Sequence, residues 1–221
     1  VVFGRSYCPK CKTVLAWYDL IPLLSYIILR GRCRHCRERI SLRYPLVELL
    51  TGAVFAALFF RLGLSLVLLK YLCLASILIA ASFIDIEHYL IPDRLNFTAL
   101  AVAGGFLLSN IEITLTSGLL GAFLAGGLVW LLAVLSKGNV GGGDIKLAAA
   151  VGLFLGWPLG FIGVLLGFFL AGMVGLLLLL TRIKGRKDPI PLAPFLSAGA
   201  FISLFWGYDI LSWYLNRFWY V

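Results

Sequence analysis

Two aspartates lie where an apolar chain should tolerate charge least. Asp85 ends an apolar run, and Asp144 directly follows a glycine triplet, Gly141 to Gly143. A carboxylate at or inside the edge of a bilayer is costly, so such residues usually face a cavity and mark chemistry or a transport path. Two carboxyl groups at facing helix ends can share one proton, because like charges a few ångströms apart do not both ionise readily. Such a pair activates water for attack on a peptide bond, which makes Asp85 and Asp144 the candidate catalytic residues.

The composition indicates a polytopic membrane protein. Of 221 residues, 62% are hydrophobic and only 13% are charged, whereas soluble domains carry roughly 25% charged residues. The formal net charge of +9 does not indicate a nucleic-acid partner, because basic residues in a membrane protein more often set topology and contact anionic lipid. We therefore expect contact with membrane lipid and no binding of nucleic acid.

Seven apolar segments predict an all-α transmembrane bundle. They are residues 45–60, 64–84, 95–109, 115–135, 144–157, 159–181 and 192–215. The third and fifth are short for a bilayer that needs about 20 residues. Short spans suit helices that begin at a recessed, wet site, and the fifth begins at Asp144 itself. The predicted domains are a small cap at residues 1–44 and a transmembrane domain at residues 45–221.

The distribution of Lys and Arg predicts the orientation of these spans. If residues 1–44 face the cytoplasm and the spans alternate, all but three of the 19 basic residues fall on the cytoplasmic side. The exceptions are Arg61, Lys70 and Arg217. The same orientation places Asp85 and Asp144 on the cytoplasmic side, as a shared proton requires.

Two C-x-x-C pairs predict a metal centre. Cys8 pairs with Cys11 and Cys33 with Cys36; two intervening residues allow both thiolates to reach one ion, and four thiolates complete a tetrahedral shell. Disulfides are disfavoured on the cytoplasmic side of a membrane. A closed four-thiolate site leaves no open coordination position, so we expect structural Zn²⁺. A redox dithiol and metal-free cysteines are the alternatives.

The segment between the two cysteine pairs, Thr13 to Leu29, is too apolar for an ordinary loop, yet Asp19 and Pro22 interrupt it. It predicts an interfacial helix that lies against the membrane, with a re-entrant segment as the alternative. No internal repeat stands out in the sequence.

The ordered motifs resemble those of the bacterial type IV prepilin peptidases, which are membrane aspartyl proteases of the G-x-G-D type. The matching elements are the two C-x-x-C pairs, Arg43 to Leu49, Asp85 to Asp93, Gly141 to Lys146 and Pro189 to Pro194. Each motif is weak alone, but the ordered set is specific and covers essentially the whole chain. Members usually carry a further N-terminal transmembrane helix, so the resemblance implies eight spans in the native protein.

The resemblance implies removal of a short basic leader from type IV prepilins or type II secretion pseudopilins. Cleavage would take place at the cytoplasmic face of the bacterial inner membrane, with Asp85 and Asp144 as the catalytic carboxylates. It also implies N-methylation of the new terminus with S-adenosylmethionine, an activity associated with the cytoplasmic loop. There the family's Gly-Lys reads Gly31-Arg32, which keeps the charge but changes its geometry. Glu48 is a further candidate, either for the substrate or methyl-donor site or for a structural ion pair.

Three further parts of these motifs have roles that the sequence predicts less closely. Lys146 either anchors its span at the interface or tunes the two aspartates electrostatically. The glycines at 141–143 would let the backbone turn sharply and approach a substrate closely. Residues Pro189 to Pro194 form either a rigid loop into the last span or an extended edge that pairs with a substrate strand.

Two other classes of protein stay open on the residues alone. A proton-coupled membrane transporter would also hold aspartates and broken helices in the bilayer. However, Asp85 and Asp144 fall at span ends on one side, and no matching pair of broken helices occurs in two halves of the chain. A non-catalytic, zinc-capped assembly protein of a secretion system would leave both aspartates unexplained.

Overall fold

The computed structural model describes residues 6–136, 140–185 and 188–218. Four basic residues used to predict the orientation, Arg5, Lys137, Arg186 and Lys187, lie outside these ranges. Across the described ranges the regular secondary structure is helical, apart from two isolated β-bridges. The predicted all-α class is therefore confirmed.

Seven long helices occur at the seven predicted positions, after one short helix, α1 (Leu24–Ile28). They are α2 (Arg43–Leu62), α3 (Leu66–His88), α4 (Asp93–Leu108), α5 (Leu115–Leu135), α6 (Gly142–Leu155), α7 (Leu159–Leu180) and α8 (Ala193–Phe218). Among the described residues, five helices are long and apolar enough to cross a membrane, namely α2, α3, α5, α7 and α8. The two segments predicted to be short are short, since α4 has 16 residues and α6 has 14.

Contacts along the chain divide it into two compact units, Val1–Phe60 and Arg61–Val221. The first unit contains both C-x-x-C pairs, α1 and most of α2, and the second contains α3 to α8. The predicted domain boundary at residues 44 and 45 separates the cap from the first span and stays a prediction.

The segment from Thr13 to Leu29 does not form the single interfacial helix that the sequence predicts. It contains only a four-residue 3₁₀ turn, Trp17–Leu20, and the five-residue α1. Pro22 cannot donate a helical hydrogen bond, and Leu23 has a φ of 59°, which lies outside the helical region. The interruptions in the sequence therefore outweigh its apolar character.

The core of the second unit is built around α3 and α6. Their fully buried side chains include Leu74, Leu78, Leu147, Val151 and Phe154. The short helix α6 packs against α3, α4, α5, α7 and α8, so protein surrounds it on most sides. The first turn of α6, which carries Asp144, is consequently held by several neighbouring helices.

An ion cluster around the buried Lys70 lies near the N-terminal end of α3. Lys70 is 1% exposed, and its Nζ lies 2.9 Å from Oε2 of Glu112 in the loop between α4 and α5. The hydroxyl of Tyr71 donates to the same oxygen at 2.6 Å. The buried ammonium therefore has its counter-charge in direct contact, as buried charges require.

Candidate active site and metal centre

Asp85 lies in the last turn of α3 and is 5% exposed. Its Oδ2 accepts a hydrogen bond of 2.8 Å from the backbone N–H of Ala193, the first residue of α8. The first N–H groups of a helix lack partners inside the helix and carry partial positive charge. The start of α8 therefore satisfies one oxygen of this buried carboxyl group.

Asp144 lies in the first turn of α6, and its Oδ1 is buried with no hydrogen-bond partner within the described ranges. An unpaired buried polar atom costs free energy, so such atoms call for an explanation, and a catalytic role is one. The charge of Asp85 acts on Asp144. The structure thus brings the two predicted carboxyl groups within electrostatic range of each other.

The glycine triplet has a different role from the sharp turn that the sequence predicts. Gly141 precedes α6 with a φ of −69°, and Gly142 and Gly143 already belong to the helix, so these residues make no sharp turn themselves; their close approach to a substrate stays a prediction. A Cβ on Gly143 would lie 3.1 Å from the carbonyl oxygen of Ile91. Gly143 therefore allows the start of α6 to lie against the segment that leads into α4.

Contacts between the starts of α4 and α6 were missed in the sequence. The Nδ2 of Asn96, a fully buried residue, donates to the carbonyl oxygen of Gly143 at 3.1 Å. Lys146 Nζ lies 2.5 Å from Asp93 Oδ1 and 5.3 Å from the centre of the Phe97 ring. Lys146 thus joins the Asp85-to-Asp93 motif to the glycine motif, a pairing that neither reading of this residue foresaw. No sequence signal marks Asn96, because its partner is 47 positions away.

The four predicted cysteine ligands meet in one cluster. Their sulfur atoms all lie within 4.8 Å of one another. Across the two pairs, Cys8 Sγ is 3.8 Å from Cys36 Sγ, and Cys11 Sγ is 4.0 Å from Cys33 Sγ. A tetrahedral ion about 2.3 Å from each sulfur would place the sulfurs about 3.8 Å apart. The cysteines are therefore positioned to hold a metal ion.

The two cysteine pairs share one backbone fold. In the first, Cys8 N–H donates to Thr13, Lys12 N–H to Cys8, and Leu15 N–H to Ser6. The second repeats these three bonds 25 positions later: Cys33 N–H donates to Glu38, Arg37 N–H to Cys33, and Ile40 N–H to Gly31. The bridges between Tyr7 and Val14 and between Arg32 and Arg39 repeat in the same way. The sequence analysis found no repeat, because the shared feature is the backbone and few side chains match.

The electrostatics of the cluster also favour a cation. Hydrogen bonds with Thr13 lower the pKa of Cys11 to about 6. The hydrogen bond from the Glu38 backbone lowers the pKa of Cys36, yet burial and the three neighbouring thiols together raise it to about 11. Four thiols this close resist ionising together, since each thiolate disfavours the next. A bound divalent cation removes this conflict.

A cavity of about 700 Å³ lies beside the cysteine cluster, within the first unit. Glu48 lines it, and Glu48 Oε2 accepts a 2.8 Å hydrogen bond from the N–H of Leu23. Gly31 packs directly against Tyr26, which also lines the cavity. A Cβ on Gly31 would lie only 2.7 Å from the Tyr26 hydroxyl oxygen. Arg32 is exposed and pairs through its backbone with Arg39. Of the three residues predicted for the methyl donor, only Glu48 lines this cavity.

Comparisons with known proteins agree with this architecture. Two family models match: the bacterial peptidase A24 N-terminal domain over residues 1–62 and the type IV leader peptidase family over residues 72–176. A protein of Aeromonas hydrophila named prepilin leader peptidase/N-methyltransferase is 40% identical over 222 residues, covering 97% of this chain and 76% of the relative. A relative of the same name in Bacillus subtilis (strain 168) is 36% identical, and the match covers 98% of this chain and 87% of the relative. Another in Legionella pneumophila is 37% identical, and the match covers 96% of this chain and 76% of the relative. No solved structure matches.

A helical membrane scaffold with two interacting carboxyl groups, together with these matches, defines a membrane peptidase. The chain belongs to the type IV leader peptidase family. The resemblance read from the ordered motifs is therefore confirmed, and the chain is an enzyme. This membership favours the peptidase over both the transporter and the assembly protein.

Proposed function

We propose that this enzyme removes the basic leader from type IV prepilins or type II secretion pseudopilins, with Asp85 and Asp144 as its catalytic pair. The observation that carries the proposal is the contrast between the two carboxyl groups. Asp85 is held by the start of α8, whereas one oxygen of Asp144 is buried and has no hydrogen-bond partner among the described residues. The names of the relatives support the choice of substrate.

In the proposed reaction, one ionised carboxylate of the pair takes a proton from water as the water oxygen attacks the scissile carbonyl carbon. The protonated partner donates a hydrogen bond to the carbonyl oxygen and stabilises the negative charge that develops there. The carbon–nitrogen bond then breaks, and the proton taken from water passes to the leaving amine. The products are a free leader carboxylate and a new α-amino terminus, and the two aspartates titrate as one coupled pair.

The proposed location is the bacterial inner membrane, with the catalytic pair at its cytoplasmic side. The C-terminal end of α3 and the N-terminal end of α6 carry the aspartates, and Arg94, Arg182 and Lys184 follow the ends of spans on that same predicted side. These basic residues fit the positive-inside rule and contact with anionic lipid headgroups.

We propose that the ion at Cys8, Cys11, Cys33 and Cys36 is zinc and that its role is structural. The sulfur separations match a tetrahedral site, and four thiolate ligands favour zinc among the common divalent ions. With all four positions filled by protein, the ion has no place for water or substrate. The residues present therefore fit zinc as a fixed centre for the two cysteine pairs.

We propose that S-adenosylmethionine binds in the cavity of the first unit and supplies the methyl group for the new amino terminus. The cavity has the size of a small-molecule site. Its lining offers the carboxylates of Asp19, Glu38 and Glu48 and the rings of Tyr26 and Tyr44. Carboxylates suit the donor's cationic sulfonium and amino groups, and aromatic rings suit both a cation and a purine. The cavity therefore fits this cofactor, with Glu48 in its wall and Gly31 supporting Tyr26.

One experiment tests both activities. The protein is expressed with a prepilin in a host that lacks its own peptidase, and the mass of the mature pilin is measured. Leader loss with one added methyl group is expected. An unprocessed prepilin would contradict the peptidase proposal, and a cleaved pilin without the methyl group would contradict the methyltransferase proposal.

Substitution of Gly31 separates the two activities. Gly31 has a φ of +66°, and a Cβ there would strike Tyr26, whereas Gly63 has a φ of +61° with open space around it. Gly31→Ala and Gly63→Ala therefore share backbone strain, but only Gly31→Ala disturbs the cavity wall. We expect Gly31→Ala to slow methylation of a pre-cleaved pilin about tenfold with less effect on leader cleavage. Equal methylation by both variants would argue against this cavity.

A further inference from the structure

Asn96 occupies a fully buried position where α4 meets the start of α6. Its Nδ2 donates to the carbonyl oxygen of Gly143 at 3.1 Å. That carbonyl belongs to the peptide group that joins Gly143 to Asp144. The hydrogen bond therefore restrains the backbone directly before the Asp144 side chain.

The other polar atom of Asn96, its Oδ1, accepts no hydrogen bond from the part of the chain that the structure describes. Within the described ranges, two buried side-chain oxygens or nitrogens lack a hydrogen-bond partner: Asn96 Oδ1 and Asp144 Oδ1. An unpaired buried polar atom is destabilising, because it has lost its hydrogen bonds to water. Leucine has a similar volume and would fill the position without this penalty, so packing alone does not explain an asparagine here.

The other contact between the two helix starts is less suited to fixing a geometry. The ion pair of Asp93 and Lys146 has side chains 64% and 37% exposed. Exposed pairs of this kind contribute little to stability and hold long side chains loosely. A short, buried and directional hydrogen bond to the backbone restrains position more closely. Asn96 is thus the stronger of the two restraints on the first turn of α6.

We infer that Asn96 is a positioning residue for Asp144: its amide fixes the Gly143–Asp144 peptide group and thereby the place of the Asp144 carboxyl group opposite Asp85. The inference rests on the proposed catalytic role of Asp144. Asn96 acts through the backbone and contacts no reacting atom in this arrangement. Its loss should therefore lower the rate of the chemical step and leave substrate binding unchanged.

The test compares Asn96→Leu with Ser203→Ala. Ser203 is also fully buried, and its Oγ donates to a backbone carbonyl of another helix, that of Leu159, at 2.6 Å. Each variant removes one buried bond from a side chain to a backbone carbonyl. We expect kcat for leader cleavage to fall about 10- to 100-fold in Asn96→Leu, because small displacements of reacting groups have effects of this size. KM should stay within about twofold, and Ser203→Ala should retain its kcat at a similar loss of thermal stability.

Asn96→Ala serves if Asn96→Leu does not fold, and the same split between kcat and KM is expected. An unchanged kcat in a folded Asn96 variant would overturn the inference, as would a change in KM alone or an equal loss of kcat in Ser203→Ala. Asp144→Asn is measured in parallel. If Asp144→Asn is inactive while the Asn96 variants are normal, only the positioning role falls. Normal cleavage by Asp144→Asn would overturn both this inference and the proposed function.

Discussion

The two ends of α3 handle buried charge in different ways. Near the N-terminal end, Lys70 has Glu112 in direct contact, and Tyr71 adds a second donor to the same carboxylate. Near the C-terminal end, Asp85 accepts a backbone N–H, while an oxygen of the nearby Asp144 has no partner within the described ranges. One helix therefore carries a satisfied ion cluster at one end and half of an incompletely satisfied carboxyl pair at the other.

This difference distinguishes a charge that stabilises the fold from a carboxyl pair that is available for catalysis. A buried charge with its partner in place holds helix and loop together, and removal of that partner leaves the buried charge uncompensated. A carboxyl group with a free oxygen can still exchange a proton or hold a water molecule. We therefore expect substitutions at the first end to change stability and substitutions at the second to change activity.

The largest effect is expected at the carboxyl pair. Asp85→Asn and Asp144→Asn should each lower leader cleavage by at least about a thousandfold, because an amide cannot exchange the shared proton. The control is Asp93→Asn, which alters an exposed carboxyl group of the same motif and should keep most activity. Mass spectrometry of the pilin measures cleavage, and size-exclusion chromatography in detergent checks folding. Near-normal cleavage by either Asp85→Asn or Asp144→Asn would remove the aspartyl mechanism.

The next effect concerns the thiol cluster, where four groups that ionise to the same charge lie close together. Purified protein should hold about one zinc ion per chain, and Cys8→Ser with Cys33→Ser should release it. Acidification should also release the ion, since protons compete for the thiolates that bind it. Cys73→Ser is the control, because Cys73 lies outside the cluster. Metal analysis of fresh, reduced protein that finds no zinc would contradict this prediction.

A smaller effect is expected at the satisfied end of α3. Glu112→Gln should lower the free energy of unfolding by about 3–5 kcal/mol, because it leaves the buried Lys70 ammonium without its counter-charge. The double variant Lys70→Met with Glu112→Gln should recover part of that loss. Thermal unfolding in detergent measures stability, and cleavage assays well below the transition should give a normal kcat. A lower kcat in a variant of this end that is fully folded would contradict the expectation that substitutions here change stability and not activity.

The smallest effect is expected from the exposed ion pair of Asp93 and Lys146. Lys146→Met keeps much of the apolar stem near Phe97 and removes the charge. The free energy of unfolding should change by no more than about 1 kcal/mol, and added salt should reduce the difference between variant and parent. Thermal unfolding at low and high salt measures both. A large loss of cleavage activity with unchanged stability would instead support the predicted electrostatic tuning of the aspartates by Lys146.

Sequence patterns predicted the features that depend on composition or on local spacing. Hydropathy located α2 to α8 within a few residues, because each helix must match its apolar surroundings over its whole length. The spacing within each C-x-x-C pair predicted the cysteine cluster, because two intervening residues bring both thiols to one point. Asp85 and Asp144 were noticeable because charge is rare in apolar segments.

The missed features depend on residues far apart in the chain. The bond from Ala193 to Asp85 joins positions 108 apart, so no local pattern could reveal that the start of α8 holds this carboxyl group. The error at residues 13–29 has a similar cause. Asp19 is tied to Arg34 by an ion pair of 2.7 Å, and Glu48 binds the backbone of Leu23. These distant partners stabilise two short turns where apolar character alone favours one helix.

The spacing between the two cysteine pairs affects the conformational entropy of the unfolded chain. Equivalent cysteines stand 25 positions apart, so an ion shared by both pairs acts as a cross-link that closes a loop of the chain. Closing a loop of this length restricts the unfolded ensemble by about 3.5 kcal/mol on the chain-entropy model. A coordination bond, unlike a disulfide, opens whenever the ion is withdrawn. With an ion bound at these cysteines, the order of the apolar segment inside the loop, and its resistance to proteases, should therefore depend on the supply of metal.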